Sequence, residues 1–308
     1  MKSKYIYGSF FRPFRKVAKY LLSYFYYIVI IIYKMPKVKS IDETIDDLLD
    51  ENKSICRFGD GEFLYMLDKF DMPYQRFDNN LFLRLIEILK TNHPDILIGI
   101  PHGYNKISNM TFSLRAYWRG QIAWIYPRLK RFLQFDRPYY NSSFTRFYMD
   151  FLNKEKSSFY IEKIKQLWDG KDILIIEGNE SRLGVGNDLF AKAKSVKRIL
   201  GPRHNAYDNY DIILKTAKKF EKDTLILLAL GSTATVLAYD LTISGYRALD
   251  IGNVDIEYEW YLMKATEKVV VKGKYTSEAI GGRDVKKCND EKYLNEIFSD
   301  LSIVNDNQ

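Results

Sequence analysis

Two acidic residues separated by one glycine, Asp60 and Glu62, form the part of the sequence best suited to chemistry. They lie in RFGDGEF (57–63), directly after the short apolar stretch SICRF (54–58). Carboxylates this close can face one cation, and Gly59 lets the backbone approach a ligand. A site that combines few carboxylates with substrate phosphates suits Mg²⁺ or Mn²⁺. An acidic β-turn is the alternative, because Asp-Gly is a common turn dipeptide.

A second candidate is the glycine-containing segment EGNESRLGVGNDLF (177–190), which joins a predicted strand to a predicted helix. Backbone N–H groups of such a loop can bind phosphate at a helix N-terminus, with Gly186 and Asn187 as candidates. Arg182 could pair with a phosphate in a bidentate manner. The segment has neither the GxGxxG spacing nor a P-loop pattern. An ordinary strand–helix connection capped by Asn187 or Asp188 is therefore the alternative.

A third candidate is LALGSTATVLAYDL (228–241), where three small residues precede a predicted helix. Gly231, Ser232 and Thr233 could offer hydrogen-bond donors to an anion at that helix N-terminus. Simple capping of the helix by Ser232 or Thr233 is the alternative.

Acidic residues are concentrated in DIGNVDIEYEW (250–260), directly after another predicted strand. A carboxylate here could act as a general base on an acceptor hydroxyl. The candidate catalytic residues are Asp255, Glu257 and Glu259, which follow Asp250. A purely structural role for each of them is the alternative.

The elements that must position these residues alternate regularly along the chain. Apolar strands are predicted at 54–58, 95–100, 172–177, 196–201, 224–231 and 248–252, with helices between them, including 189–194 and 210–222. This alternation indicates an α/β, Rossmann-like fold with a mostly parallel sheet and helices on both faces. In such a sheet the ligand lies at the carboxyl ends of the strands. The candidates above all follow predicted strands.

Three regions are predicted along the chain. Residues 1–39 form a basic, apolar arm that contains an amphipathic or apolar helix. Residues 40–283 form the main domain, which includes an aromatic-rich helical insertion over 101–170. Residues 284–308 form a polar tail with a capping helix and a frayed end.

The net positive charge of the chain comes from the arm. The formal net charge is +8, and residues 1–39 contain nine basic side chains and no acidic one. The rest of the chain holds 38 of the 47 basic residues against all 39 acidic ones, so it is close to neutral. Nucleic acid is therefore excluded as the expected partner, and an anionic membrane surface is favoured.

The apolar run YLLSYFYYIVIIIY (20–33) inside the arm supports the same partner. As a helix it would span about 21 Å, which is short of the roughly 30 Å of a bilayer core. Its aromatic and flanking basic residues suit a helix that lies in the membrane interface. A spanning helix, or a helix docked on the protein itself or on a second subunit, is the alternative.

Taken together, five segments resemble the GT-D-type glycosyltransferases, a bacterial family once classed as a domain of unknown function. The segments are RFGDGE (57–62), EGNESRLGVGNDLF (177–190), GPRHNAYDNYDIIL (201–214), LLALGSTATVLAYDL (227–241) and ALDIGNVDIEYEW (248–260). The resemblance covers approximately residues 40–270 and leaves out the arm. It is specific because five unusual segments occur in the same order.

The resemblance implies a DxE metal motif, here Asp60 to Glu62, that binds Mn²⁺ or Mg²⁺ beside a UDP-sugar donor. It implies transfer of a hexose to a hydroxyl of a glycan, lipid-linked or glycoprotein acceptor in the synthesis of bacterial surface glycans. The nucleotide and phosphates would contact Arg57, Gly59, Arg182, Gly186, Asn187, Gly231, Ser232 and Thr233. The arm would place the enzyme in the cytoplasm, at the inner face of the membrane.

Two other classes of protein remain as alternatives. A Rossmann-type dehydrogenase or methyltransferase would need a glycine fingerprint and a later acidic residue that the 184–188 loop serves poorly. A non-catalytic, membrane-bound scaffold of a glycan assembly complex would not need the clustered acidic residues.

Overall fold

One sheet of eight parallel strands organises residues 21–50 and 52–303, the part of the chain that the computed structural model describes. The strand order is β3-β2-β1-β7-β6-β4-β5-β8, and every neighbouring pair is parallel. The strands are β1 (Ser54–Arg57), β2 (Ile96–Ile100), β3 (Tyr140–Asn141), β4 (Asp172–Gly178), β5 (Ser195–Gly201), β6 (Leu225–Ala229), β7 (Ala248–Asp250) and β8 (Ile297–Asp300).

Helices connect these strands and cover the sheet. They are α1 (Tyr26–Ile32), α2 (Ile41–Asp50), α3 (Asp60–Asp68), α4 (Asn79–Lys90), α5 (Phe112–Leu129), α6 (Ser157–Gln166), α7 (Tyr210–Ala217), α8 (Ser232–Ile243), α9 (Val254–Leu262) and α10 (Glu291–Glu296). The predicted fold class, an α/β protein with a mostly parallel sheet, is confirmed.

The sheet has a separate hydrophobic core on each face, because successive side chains of a strand point to opposite sides. In β4, Leu174 and Ile176 belong to the core that includes residues of α3, α4, α5, α7 and α8. Ile173 and Ile175 belong to the other core, with residues of α2, α6 and α9. Both faces are therefore buried, which explains why the strands read as continuous apolar runs.

The order of the strands creates a crevice beside β1. The chain proceeds from β1 through β2 to β3 on one side, while β7 lies against the other side of β1. Where the direction of winding changes in an open α/β sheet, the loops at the carboxyl ends of the strands separate and leave room for a ligand.

The helix predicted at 189–194 is wrong, because this segment forms turns. Its backbone pairs with the loop before β4: the N–H of Gly170 donates to the Lys192 carbonyl at 2.8 Å, and that of Lys194 donates to the Lys171 carbonyl at 2.9 Å. Leu189 is buried, and its carbonyl accepts a hydrogen bond from the Trp168 indole. Long-range pairing thus takes the place of helix formation.

A strand was also missed in the segment predicted as a polar tail. After α10, β8 joins the edge of the sheet beside β5. Arg198 of β5 donates to Glu296 at 2.7 Å, and the ring of Phe298 packs against Phe220. As an edge strand with an exposed side, β8 carries no continuous apolar run that would reveal it in the sequence.

The N-terminal apolar run is helical in part, with α1 preceded by a short 3₁₀ turn. Val29 is buried against the core, and the rings of Tyr33 and Tyr126 meet edge to face. The Tyr126 hydroxyl also donates to the Lys34 carbonyl. In residues 21–50 and 52–303, no helix has both the length and the apolar character needed to cross a bilayer. Residues 1–20 of the predicted arm lie outside the described part of the chain.

Candidate active site

A cleft of about 740 Å³ opens at the carboxyl ends of the strands, a volume that suits a drug-sized or nucleotide-sized ligand. Segments that follow seven of the strands contribute to its wall. These include Phe58 after β1, Pro101 after β2, Ser142 after β3, Pro202 after β5, Leu230 after β6 and Gly252 after β7, with Gly178 at the end of β4. The fold thus brings together the ends that the sequence singled out.

Asp60 and Glu62 lie in the wall of this cleft, in the first turn of α3. Glu62 caps the helix, since its Oε2 atom accepts the N–H of Gly59 at 2.8 Å. Its Oε1 atom accepts from the hydroxyls of Ser232 at 2.6 Å and Tyr74 at 3.1 Å. Negative charge is stabilised at a helix N-terminus, which offsets the repulsion between two carboxylates on one helical turn.

Asp60 is held by the long helix α5. The Tyr117 hydroxyl and the side-chain amide of Gln121, at 3.0 Å, both donate to its Oδ2 atom. Burial and the nearby Asp60 carboxylate raise the pKa of Tyr117, so its hydroxyl stays a donor. Within the described residues, no hydrogen bond reaches the other oxygen, Oδ1. That oxygen remains available to a ligand.

Ser232 belongs to the surroundings of Glu62 rather than to an open anion site, while Gly231 lines the cleft. Ser232 is buried, and its hydroxyl is used by Glu62. Gly231 has φ +55°, and a Cβ atom there would lie 2.8 Å from the Tyr74 ring. Glycine therefore lets Tyr74 approach. Thr233 is buried and is not among the residues that line the cleft.

Arg57 lies in the cleft wall, where it pairs with Asp250 at 2.9 Å. Burial raises the pKa of Asp250, and Arg57 opposes that shift by favouring the charged carboxylate. Arg57 is predicted from the sequence to contact the phosphates. The structure shows that its guanidinium is already engaged with a carboxylate of the neighbouring strand.

The three acidic residues predicted as catalytic do not form one cluster. Residues two apart on a helix face opposite sides, so α9 separates Glu257 from Asp255 and Glu259. Asp255 lines the cleft, and Lys274 contacts it at 2.7 Å and Glu259 at 2.8 Å. Both carboxylates also accept from Asn187. This network has the character of a buried structural ion pair.

Glu257 lies inside the protein, away from the cleft lining. Its Oε1 atom accepts the backbone N–H groups of Tyr148 at 2.8 Å and Met149 at 2.6 Å. Burial raises the pKa of Glu257 to about 7, and the nearby Asp150 adds to this effect. Glu257 therefore supports the loop behind the cleft and does not face a substrate.

The 178–190 loop also differs from the predicted phosphate loop. The guanidinium of Arg182 donates to the carbonyls of Gly273 at 2.7 Å and Lys286 at 2.6 Å, so it holds a later segment of the chain. Asn187 bridges the acidic residues of α9, and Gly186 is exposed outside the cleft lining. None of these three predicted nucleotide contacts is among the residues that line the cleft.

Residues 263–290 supply cleft residues that the sequence analysis missed. This described segment contains no helix or strand, yet it carries Lys268, Tyr275, Ser277, Glu278 and Arg283 to the wall. Arg203, which follows β5, stacks on Tyr275 with its guanidinium 5.2 Å from the ring centroid. A loop with no periodic pattern gives no sequence signal of where it lies.

The oxygen-rich wall fits a hard divalent cation. Asp60 and Glu62 share one helical turn, and the Gln121 side-chain oxygen beside them is buried without a hydrogen-bond partner in the described part of the chain. Three or more His, Cys, Asp or Glu side chains in metal-binding reach of one another do not occur within residues 21–50 and 52–303. The donor set therefore suits a cation that completes its shell with substrate phosphates and water.

Comparison with known proteins identifies relatives of this chain. The family model described as "Glycosyltransferase GT-D fold" matches residues 55–279. The chain is 39% identical over 268 residues to a probable glycosyl transferase, Gly, of Streptococcus gordonii, and 37% identical over 264 residues to glycosyltransferase GlyD of Streptococcus pneumoniae serotype 4. These alignments cover 86% and 85% of this chain but 39% and 32% of the relatives. The chain thus spans well under half the length of these curated relatives.

Solved structures agree with this relationship. A structure described as a new glycosyltransferase from Streptococcus sanguinis has 37% identity and a TM-score of 0.82, and the match covers 86% of this chain and 99% of that one. A structure titled as the highly conserved domain of unknown function 1792 with a distinct glycosyltransferase fold has 35% identity and the same TM-score, over 92% of this chain and 99% of that one.

Proposed function

Because this chain belongs to the family of glycosyltransferases with the GT-D fold, we propose that it transfers a hexose from a UDP-sugar to a hydroxyl of a glycan or glycoconjugate. The acceptor would belong to bacterial surface polysaccharide or glycoprotein synthesis. The observation that carries the proposal is the cleft itself, which has two carboxylates on one helical turn and cationic side chains around it.

Asp60 and Glu62 would hold Mn²⁺ or Mg²⁺. When bound, such a cation neutralises the diphosphate and helps it leave. Hydrogen bonds from the chain orient both proposed metal ligands. Tyr117 donates to Asp60, while Ser232 and Gly59 donate to Glu62. Each carboxylate is fixed by donors before a ligand arrives, which lowers the cost of ordering the site on binding.

The diphosphate would contact Arg283, which lines the cleft, and Arg203, which lines it as well but also pairs with Glu180. The Arg283 side chain is exposed, and no ion pair of its guanidinium occurs within residues 21–50 and 52–303, so its charge is available to a phosphate. The loop after β5 also lies close to the proposed metal ligands. Asn205 donates to the Tyr74 carbonyl at 2.8 Å, and the Tyr74 hydroxyl contacts Glu62.

The test is release of UDP from a panel of UDP-hexoses, with Mn²⁺ or Mg²⁺ and with EDTA. We expect metal-dependent release that Asp60→Ala and Glu62→Ala each reduce at least about 100-fold. Asp172→Ala, which removes an exposed carboxylate at the start of β4, is the control and should keep wild-type activity. Full metal-dependent activity in a double Asp60→Ala/Glu62→Ala variant would refute the assignment of the site.

A binding experiment separates this proposal from the other enzyme classes. Thermal stabilisation by UDP, and none by NAD or S-adenosylmethionine, is the expected result. The reverse pattern would favour a dehydrogenase or methyltransferase.

We also propose that the N-terminal segment attaches the enzyme to an anionic membrane surface. While Val29 packs on the core, many apolar side chains of this segment are exposed: Leu21, Tyr24, Phe25, Tyr27, Ile28, Ile31 and Ile32. The surrounding sequence is basic, which complements anionic headgroups.

Vesicle co-sedimentation tests the membrane proposal. Ile28→Glu/Ile31→Glu should lower binding to phosphatidylglycerol-containing vesicles severalfold. Ile212→Glu/Ile243→Glu, at two exposed apolar positions on α7 and α8, should leave binding unchanged. Equal binding by both double variants would refute a role for this face.

A further inference from the structure

Asp150 is a cleft residue whose backbone is fixed on both sides. Its carbonyl accepts the N–H of Thr111 at 3.1 Å, and the next residue, Phe151, forms an isolated antiparallel bridge with Met110. The side chain is only 14% exposed. Asp150 therefore presents a carboxylate to the cleft from a well-defined position.

No hydrogen bond reaches this carboxylate from the residues that the structure describes. The nearest cation is the Lys268 ammonium, which lies 3.9 Å from Oδ1. All the other carboxylates that line the cleft accept hydrogen bonds from protein groups: Asp60, Glu62, Asp250, Asp255 and Glu278. Asp150 is therefore the one carboxylate of the cleft lining, within the described residues, whose oxygens are left open as hydrogen-bond acceptors.

The charges around Asp150 keep its carboxylate accessible. Arg146 donates to Glu278 at 2.8 Å, and Lys268 also contacts Glu278, so both cations are drawn towards that residue. Burial raises the pKa of Asp150, Glu278 raises it further, and Arg146 and Lys268 oppose the shift. Glu257, behind the loop, is the remaining charged neighbour. This environment increases the basicity of the carboxylate without closing it off.

A sugar hydroxyl is the donor that fits this position, because each hydroxyl can donate one hydrogen bond and an acceptor hydroxyl must lose its proton. We propose that Asp150 binds the acceptor hydroxyl and takes its proton during transfer, an inference that rests on the proposed function. Asp255 is paired with Lys274, and Glu257 faces away from the cleft. Asp150 is thus better placed than the acidic residues of α9.

The transfer is a direct displacement at the anomeric carbon of the donor sugar. The hydroxyl proton moves to a carboxylate oxygen of Asp150 as the acceptor oxygen forms a bond to the anomeric carbon of the donor. The bond from that carbon to the diphosphate oxygen breaks, and UDP leaves with the electron pair.

The experiment compares Asp150→Asn, Asp150→Glu and the control Asp172→Asn in the full chain. UDP binding is measured by calorimetry, and UDP release is measured from UDP-hexoses with water or a panel of p-nitrophenyl hexosides as acceptors. We expect Asp150→Asn to bind UDP with wild-type affinity and to lose at least about 100-fold in transfer, since the amide cannot take a proton. Asp150→Glu should recover part of the rate.

The dependence of the transfer rate on pH distinguishes proton transfer by Asp150 from a purely structural role of this residue. The wild-type rate should fall as acid protonates Asp150, and the residual rate of Asp150→Asn should lack that fall. Transfer by Asp150→Asn within threefold of the wild type, or a loss of UDP affinity that matches the loss of rate, would overturn the proposal. A wild-type chain that releases UDP from no donor would instead overturn the proposed function and this role with it.

Discussion

The guanidinium of Arg57 joins two neighbouring strands at the cleft, with its Nη2 and Nε atoms 2.9 Å and 3.1 Å from the same Oδ1 atom of Asp250. Its Nη1 atom donates to the Ser142 carbonyl at 2.8 Å and to the Thr145 hydroxyl at 2.6 Å. One side chain therefore ties together the ends of β1 and β7 and the turn after β3. The position of the guanidinium is fixed by four hydrogen bonds.

Gly252→Ala should disrupt this arrangement, because a Cβ atom at Gly252 would lie 1.8 Å from Nη2 of Arg57. We expect a loss of about 1–3 kcal/mol in the free energy of unfolding from the overlap. A backbone strain of about 1 kcal/mol adds to this loss, since φ is +41°. UDP release should fall at least tenfold, because Arg57 and Asp250 are displaced together.

Gly245→Ala is the matched control for that variant. Gly245 has φ +85° with nothing within 4 Å of a Cβ atom, so alanine there adds strain without overlap. Urea unfolding should show a smaller loss, and UDP release should stay at the wild-type rate. Equal losses in the two variants would contradict the importance of the Arg57 contact.

Ser232→Ala should weaken metal-dependent activity by freeing Glu62. The lost hydrogen bond to a carboxylate is worth about 1–3 kcal/mol, part of which should appear as a higher Mn²⁺ concentration for half-maximal UDP release. Ser244→Ala removes a hydroxyl after the other end of α8, where it donates to the Asp240 carbonyl at 2.7 Å. That control should keep the wild-type Mn²⁺ dependence, and a shared shift would show a general effect on α8.

Lys274→Ala should destabilise the fold strongly. The ammonium is buried between Asp255 and Glu259, and removal of one partner from a buried ion pair costs about 3–5 kcal/mol. Lys272→Ala, at an exposed position in the same segment, should change the free energy of unfolding by less than about 0.5 kcal/mol. A small effect of Lys274→Ala in urea unfolding would show that the pair is dispensable.

Glu257 should make the fold less stable as the pH rises. Its pKa is about 7 in the folded chain, against an ordinary value of 4.5, so the folded state binds the proton more tightly. This contribution is complete below pH 4.5 and is lost as the pH rises to about 7, with an upper limit of about 3 kcal/mol. Urea unfolding from pH 4.5 to 7.5 should show a flatter profile for Glu257→Gln than for the wild type. Glu221→Gln, at an exposed position, should leave the profile unchanged.

Much of the sheet could be predicted because its strands are buried on both faces. β6 is apolar throughout, and β4 has an apolar centre, Ile173 to Ile176, so the residues after these strands fall at the same edge of a parallel sheet. Asp60 and Glu62, which follow β1, lie in the cleft at this edge. The edge strand β8 lacks such a run and could not be found in the same way.

The rest of the site depends on contacts that no local pattern encodes. Tyr117 and Asp150 come from different parts of the chain and reach the cleft only through tertiary packing. The grouping of Asp255 with Glu257 failed for a different reason. The two residues are close in the sequence, but the helical period of 3.6 directs residues two apart to opposite sides of α9.

The irregular segment 263–290 lines the cleft without belonging to the sheet or to a helix. It brings Lys268, Glu278 and Arg283 to the cleft, yet it is fastened to the body by Lys274 and by the Arg182 guanidinium. Its cleft-facing positions carry no strand register and little of either core. Substitutions in this one loop can therefore change the lining of the cleft, while the first turn of α3 and the sheet beneath it keep their structure.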